Sequence, residues 1–169
     1  MTAAILAAIL CLALSPAWAQ QPAGPPDAAT RKASQADVLK SEQFSDEVAT
    51  ALLSRIADGF TRRNPKLLLS AFDPQRFEGY ALFSDRMQAR LGQNDSFRAY
   101  FRIVDATPHD ARATATVELQ IEQTYIAPGR PPTRNSGQAH FTFERGAAGW
   151  RIVDVAPRGL LTGARLASL

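Results

Sequence analysis

Cysteine is all but missing. The single Cys11 lies inside the apolar run at the N-terminus, and once that run is removed the remaining chain has no thiol. Disulfides, thiol nucleophiles and thiolate metal sites are thereby excluded. Histidine is scarce as well. His109 and His140 stand over thirty residues apart with no carboxylates at ligand spacing, so no metal is expected. Nothing in the sequence calls for a cofactor. Lysine is rare too, and the net charge of +3 comes mainly from scattered arginines, of which Arg62-Arg63 is the one adjacent pair in the helical region. No basic stripe is interleaved with stacking aromatics, which argues against nucleic acid. Beyond residue 19 no apolar run reaches the ~20 residues a membrane helix needs.

What is present falls into four stretches. Met1 to Ala19 is apolar up to the small-x-small sequence Ala17-Trp18-Ala19 and reads as a signal peptide cleaved before Gln20, although no Lys or Arg precedes the apolar run. Ser15-Pro16 breaks the run too early for an anchor, and Cys11 lacks the small residues that precede a lipoprotein cysteine. The protein is therefore expected to be exported, to the periplasm or beyond. Residues 20–43 are rich in Pro, Ala and polar residues without apolar period and are expected to form a flexible linker. Residues 44–158 are expected to form the single domain, and 159–169 a tail.

The domain is organised around Ala111 to Pro157. Ala113, Ala115, Val117, Leu119 and Ile121 alternate with Thr114, Thr116, Glu118, Gln120 and Glu122, the period of a strand with one buried and one wet face. Gln138 to Glu144 and Trp150 to Val155 follow as further strands, the first link Pro/Gly-rich and the second Gly146-Ala-Ala-Gly149. Ser96 to Asp105 alternates too, with Thr107 to Asp110 expected as the turn after it. Upstream, Ser45-Asp46-Glu47 caps an amphipathic helix to about Arg63, and Asn64-Pro65 starts a second that stops at Asp73-Pro74. Arg76 to Leu82 is expected as a short edge strand. Ser84-Asp85 then caps a third helix through Leu91, ended by Gly92. Helices first and a meander after predict an α+β fold, three N-terminal helices packed on a strongly curved antiparallel sheet.

This order, with its Arg-Arg-Asn-Pro break, the Ala-Phe-Asp end of the second helix and the closing Gly-Trp-Arg-Ile-Val strand, resembles the nuclear transport factor 2-like superfamily over about Ser45 to Arg158. That superfamily has a cystatin-like cone fold, shared by ketosteroid isomerase and the SnoaL-like cyclases. The resemblance implies an apolar pocket between helices and sheet, and homodimers formed through the sheet's other side. Its pocket would be lined by Ile56, Phe60, Phe72, Tyr80, Met87, Ala139, Phe141 and Trp150. Read from the residues alone, Phe60, Phe72, Met87, Phe141 and Trp150 are first of all core and only second a ligand cage, and Tyr80 and Tyr100 are core-boundary rings before they are ligand donors. In the isomerase register, the two donor positions fall at Ile56 and Ala139 and the base at Gly79, none of which can exchange a proton. A slip of one residue near Asp73 would bring Glu78 to the base position.

Asp154 interrupts an apolar strand and is a candidate acid or base if buried, or an ion-paired surface group beside an arginine such as Arg102 or Arg151. His109 is expected in a solvated turn and His140 facing away from Phe141 and Phe143. The favoured function is an exported, non-catalytic homodimer binding a small apolar ligand or a protein partner. The alternatives are a SnoaL-like isomerase, cyclase or hydrolase using Asp154 or Glu78 as general base, and a purely structural dimerisation module with a filled cone. The state of the cone interior separates them.

Overall fold

A computed structural model describes residues 36–163 apart from Asn94. The signal-peptide stretch, most of the expected linker and the end of the tail lie outside the described residues. Helix α1 spans Asp46–Thr61. The Ser45 hydroxyl accepts from the Val48 amide at 3.4 Å, and Asp46 and Glu47 sit in the first turn where the helix dipole favours acids. Its apolar stripe, Val48, Leu52, Ile56 and Phe60 among others, is fully buried. The second helix, α2 (Pro65–Leu69), is capped by Asn64, whose side chain accepts from Leu67 at 3.0 Å. It crosses α1 at Gly59, where a Cβ would stand 2.5 Å from that of Leu68.

Beyond α2 the chain departs from expectation. Arg76 to Leu82 forms no edge strand. The Asp73 carboxylate accepts from the amides of Gln75 and Arg76 and folds this segment into turns. The sheet edge is met four residues earlier, where Asp73 N donates to Ile152 O and Ile152 N to Ala71 O, making a parallel bridge at Phe72. Helix α3 spans Tyr80–Gly92 and starts from Gly79 in the left-handed region (φ 67°), so Ser84-Asp85 lies inside the helix rather than at its cap. Phe83, Met87 and Leu91 supply its buried stripe at four-residue spacing.

Four antiparallel strands follow in chain order: β1 (Ser96–His109), β2 (Arg112–Thr124), β3 (Thr133–Gly146) and β4 (Gly149–Ala156). β1 runs through the expected turn. Thr107 and Pro108 pair with Thr114 and Ala113, which an edge strand permits because proline has no outward amide to satisfy. The tight turn falls at Asp110, in the left-handed region at φ 46°. β3 begins earlier than expected, since residues 133–137 pair with the far half of β2. Ala113 to Ile121 and Ala139 to Phe143 point their alternate apolar side chains at the helices, and Thr114, Thr116 and His140 point outward. Bulges at Ile103/Asp105 and Thr142/Phe143 interrupt the ladders, bending the strands that wrap the core.

Two ends belong to the domain that the sequence left outside it. Residues 36–43 are not a tether where described. Leu39 is buried, its carbonyl accepts from Trp150 N at 2.8 Å, and the Trp150 indole donates to Ser41 O at 3.1 Å. Phe44 then packs edge-on to Trp150 and against Phe143, both at about 5 Å. At the other end α4 (Gly159–Thr162) buries Leu160 and Leu161, so the expected tail begins as core. Both segments carry apolar side chains whose partners lie on the sheet and which have no local period of their own. Among the described residues no helix is long and apolar enough to cross a membrane.

Candidate functional site

The residues assigned to a pocket wall come together, but as core. Ile56, Phe60, Phe72, Met87, Ala139, Phe141 and Trp150 are each 2% exposed or less, and none of them borders the surface clefts described below. Phe72 lies 4.9 Å from Phe83 and 5.5 Å from Phe77, ring centre to ring centre, so aromatic side chains occupy the space beside it. Tyr80 is half-buried at the start of α3, and burial raises its hydroxyl pKa. Ile56 and Ala139 are inside, whereas Gly79 is exposed at the α3 cap. The isomerase positions therefore share no common hollow.

Glu78 and Asp154 do come to the same place. They line a shallow surface cleft of about 310 Å³ with Arg76, Arg112, Thr142, Glu144 and Val153. The β4 bulge sets Asp154 opposite Thr142 on the outward face. Arg158 joins the pair, donating to Asp154 Oδ1 at 2.8 Å and to the Glu78 carbonyl at 2.7 Å, with its guanidinium over the Phe77 ring. Asp154 is thus half-exposed and ion-paired, with Arg158 rather than with Arg102 or Arg151. Replacing it by asparagine removes one partly exposed ion pair, and Asp154→Asn is expected to change unfolding free energy by less than about 1 kcal/mol in a urea melt. His109 ends β1 on the surface, and His140 faces outward within reach of Thr116. Among the described residues no cluster of His, Cys, Asp or Glu could hold a metal.

The outward sheet face has a different character. Tyr100, Arg102, Glu118, Gln120, Ser136 and Gln138 border a cleft of about 420 Å³ across three strands. Arg102 binds Glu118 at 2.5 Å, and hydrogen bonds from Arg102 and then Gln138 hold that carboxyl below its ordinary pKa. Arg134 binds Glu122 at 2.6 Å two same-face rows along. Tyr100 is 56% exposed and Val104 47%, apolar surface within a polar ladder.

A larger cleft, about 680 Å³, opens between the ends of β2 and β3, the C-terminal end of α3 and α4. Arg90 reaches into it with its guanidinium over the rings of Phe60 (5.4 Å) and Phe97 (5.5 Å), donating to the Leu161 carbonyl. Burial lowers its pKa to about 10, Tyr125 offsetting part of the shift. Sequence reasoning passed over Arg90. The signal was there, since it stands three residues after Met87, beside Leu91, on the inward side of the α3 stripe.

The fold these elements make is the nuclear transport factor 2-like cone. A nuclear transport factor 2-like superfamily protein from Salmonella enterica superimposes with a TM-score of 0.54 at 14% identity, over 64% of this chain and 86% of that one. A conserved protein from Planctomyces limnophilus gives 0.56 at 16% identity, over 65% and 92%. A protein of the same superfamily from Streptomyces avermitilis, named as a dehydratase, gives 0.54 at 12% identity, over 63% and 90%. No known family pattern matches the sequence, and no curated protein does.

Proposed function

We propose that this is a non-catalytic assembly domain of the nuclear transport factor 2-like fold, exported and working as a homodimer through the outward face of its sheet. The observation that carries this is the occupied interior. Side chains expected to wall a ligand pocket are buried core, and of the two expected bases Asp154 is ion-paired with Arg158 while Glu78 stands exposed beside it. With the expected interior pocket filled and the expected bases on the surface, attention turns to the outward face. The outward face is wide enough: three strands of 13 or 14 residues make a face of about 600 Å² before side-chain relief, near the ~800 Å² per partner of a standard interface. Its alternation of Arg102, Glu118, Glu122 and Arg134 suits a two-fold axis, which sets each charge against its opposite on an identical copy. Tyr100 and Val104 supply apolar contact. Export rests on the pattern of residues 1–19.

The test is the mass of residues 36–169 in solution by light scattering. The wild type is expected to run as a dimer. Tyr100→Glu, which sets a charge within β1 on that face, is expected to weaken association at least tenfold while leaving the thermal melt of the monomer in place. A monomer at high concentration, or a dimer indifferent to this change, sinks the proposal.

A further inference from the structure

We propose that the cleft between α3, α4 and the β2–β3 end binds a small organic carboxylate, with Arg90 and Arg130 gripping the carboxyl group and Ile121 and Leu160 taking its apolar part. This site opens on the helix side of the sheet, and its rim shares Arg134 and Ser136 with the proposed dimer face.

Arg90 carries the inference. A largely buried guanidinium is costly unless a counter-charge answers it. Among the described residues no carboxylate pairs with it: its contacts are the Leu161 carbonyl and two phenyl faces. The acids nearest the cleft are engaged elsewhere. Glu122 is bound by Arg134, and Asp95 accepts from the Gln123 side chain at 2.7 Å and from the Ile126 amide at 3.3 Å. A surface arginine idle in solvent needs no explanation, but one drawn beneath the domain surface does.

The geometry selects the ligand class. Both guanidinium groups have a face covered, Arg90 by Phe60 and Phe97 and Arg130 by Tyr125 at 3.7 Å. What remains free is the rim of N–H donors in the plane of each group, apart from the Arg90 Nη1 that donates to the Leu161 carbonyl. Two coplanar oxygens match that rim, as in a carboxylate. Tyr125 is itself held by Thr133 at 3.0 Å, and Asn135 by the Leu160 carbonyl at 2.9 Å, so the polar wall is fixed before anything enters. Ile121 and Leu160 then make one apolar wall. Phosphate would use the arginines and leave that wall uncovered; a neutral molecule would leave Arg90 unanswered. A volume of about 680 Å³ accommodates a small organic acid.

The experiment is calorimetric titration of residues 36–169 with benzoate and hexanoate, against benzamide and inorganic phosphate. Either carboxylate is expected to bind at least tenfold more tightly than benzamide and than phosphate. Arg130→Ala changes an exposed loop residue that cannot threaten the fold, and is expected to weaken carboxylate binding severalfold. Arg90→Met keeps the side-chain length between the two rings and is expected to weaken it at least tenfold, with a melt confirming the folded state. Absence of heat with both carboxylates up to about 10 mM, the weak limit of a specific site, overturns the inference. So does benzamide or phosphate binding as well as the acids, or full affinity in both arginine variants.

Discussion

Trp150→Ala is expected to lower the unfolding free energy by about 3–5 kcal/mol, a large part of the ~5–15 kcal/mol that holds a domain of this size folded. The indole is fully buried and lies against Phe44, and its N–H is spent on the Ser41 carbonyl. Alanine leaves a cavity of ring size and an unpaired carbonyl at the same point, two costs that add. The loss has a local signature beyond the melt. Residues 36–44 have their main anchor on this ring, so Lys40, already exposed, becomes a fast trypsin site in the variant. A guanidinium melt reads the global term and timed proteolysis the local one. A loss below about 1.5 kcal/mol with Lys40 still protected would show that the N-terminal segment is held by something other than Trp150.

Gly149→Ala attacks the same junction from the backbone and is expected to cost about 2–4 kcal/mol. Gly149 sits at φ 92°, where an L side chain is strained by about 1–3 kcal/mol. A Cβ there would also overlap the Leu39 carbonyl, the acceptor of the Trp150 amide. To relieve the overlap, residues 36–44 must back away and give up that hydrogen bond. Gly146→Ala, in the same turn, is the control. Its φ is not in the left-handed region, and a Cβ would meet only the far end of the Arg76 side chain at 3.7 Å. Its cost should stay within about 0.5 kcal/mol, and comparable losses at both positions would remove the steric explanation.

The fold was readable where the physics is local. The alternation from Ala113 to Ile121 marks the strand and both its faces, and Ser45 and Asn64-Pro65 mark two helix starts by capping chemistry alone. The α3 start was not readable, because Gly79 replaces a capping side chain with a left-handed backbone, and Ser84-Asp85 carries a capping signal that the helix runs straight through. Leu39 and Phe44 were hidden for another reason. Their partner Trp150 stands more than a hundred residues later, and no pattern within residues 36–44 announces it. Asp154 shows the limit at single side chains: alternation gives a residue's face only until a bulge shifts it, and the Thr142/Phe143 bulge falls just before it. Whether the cone is hollow depends on how Phe72, Phe77 and Phe83 stack, which follows from three-dimensional packing and from no sequence period.

The sheet is bounded on both flanks. Along β4 the Phe72 bridge occupies the rim, and along β1 the kink at Val104 and the ring of Pro108 break the row of amides that an incoming strand would need. Adding a further strand is thereby hindered at Phe72 on one rim and at Val104 and Pro108 on the other, so the pairing proposed for this protein is expected to use the broad face of the sheet and not its rims.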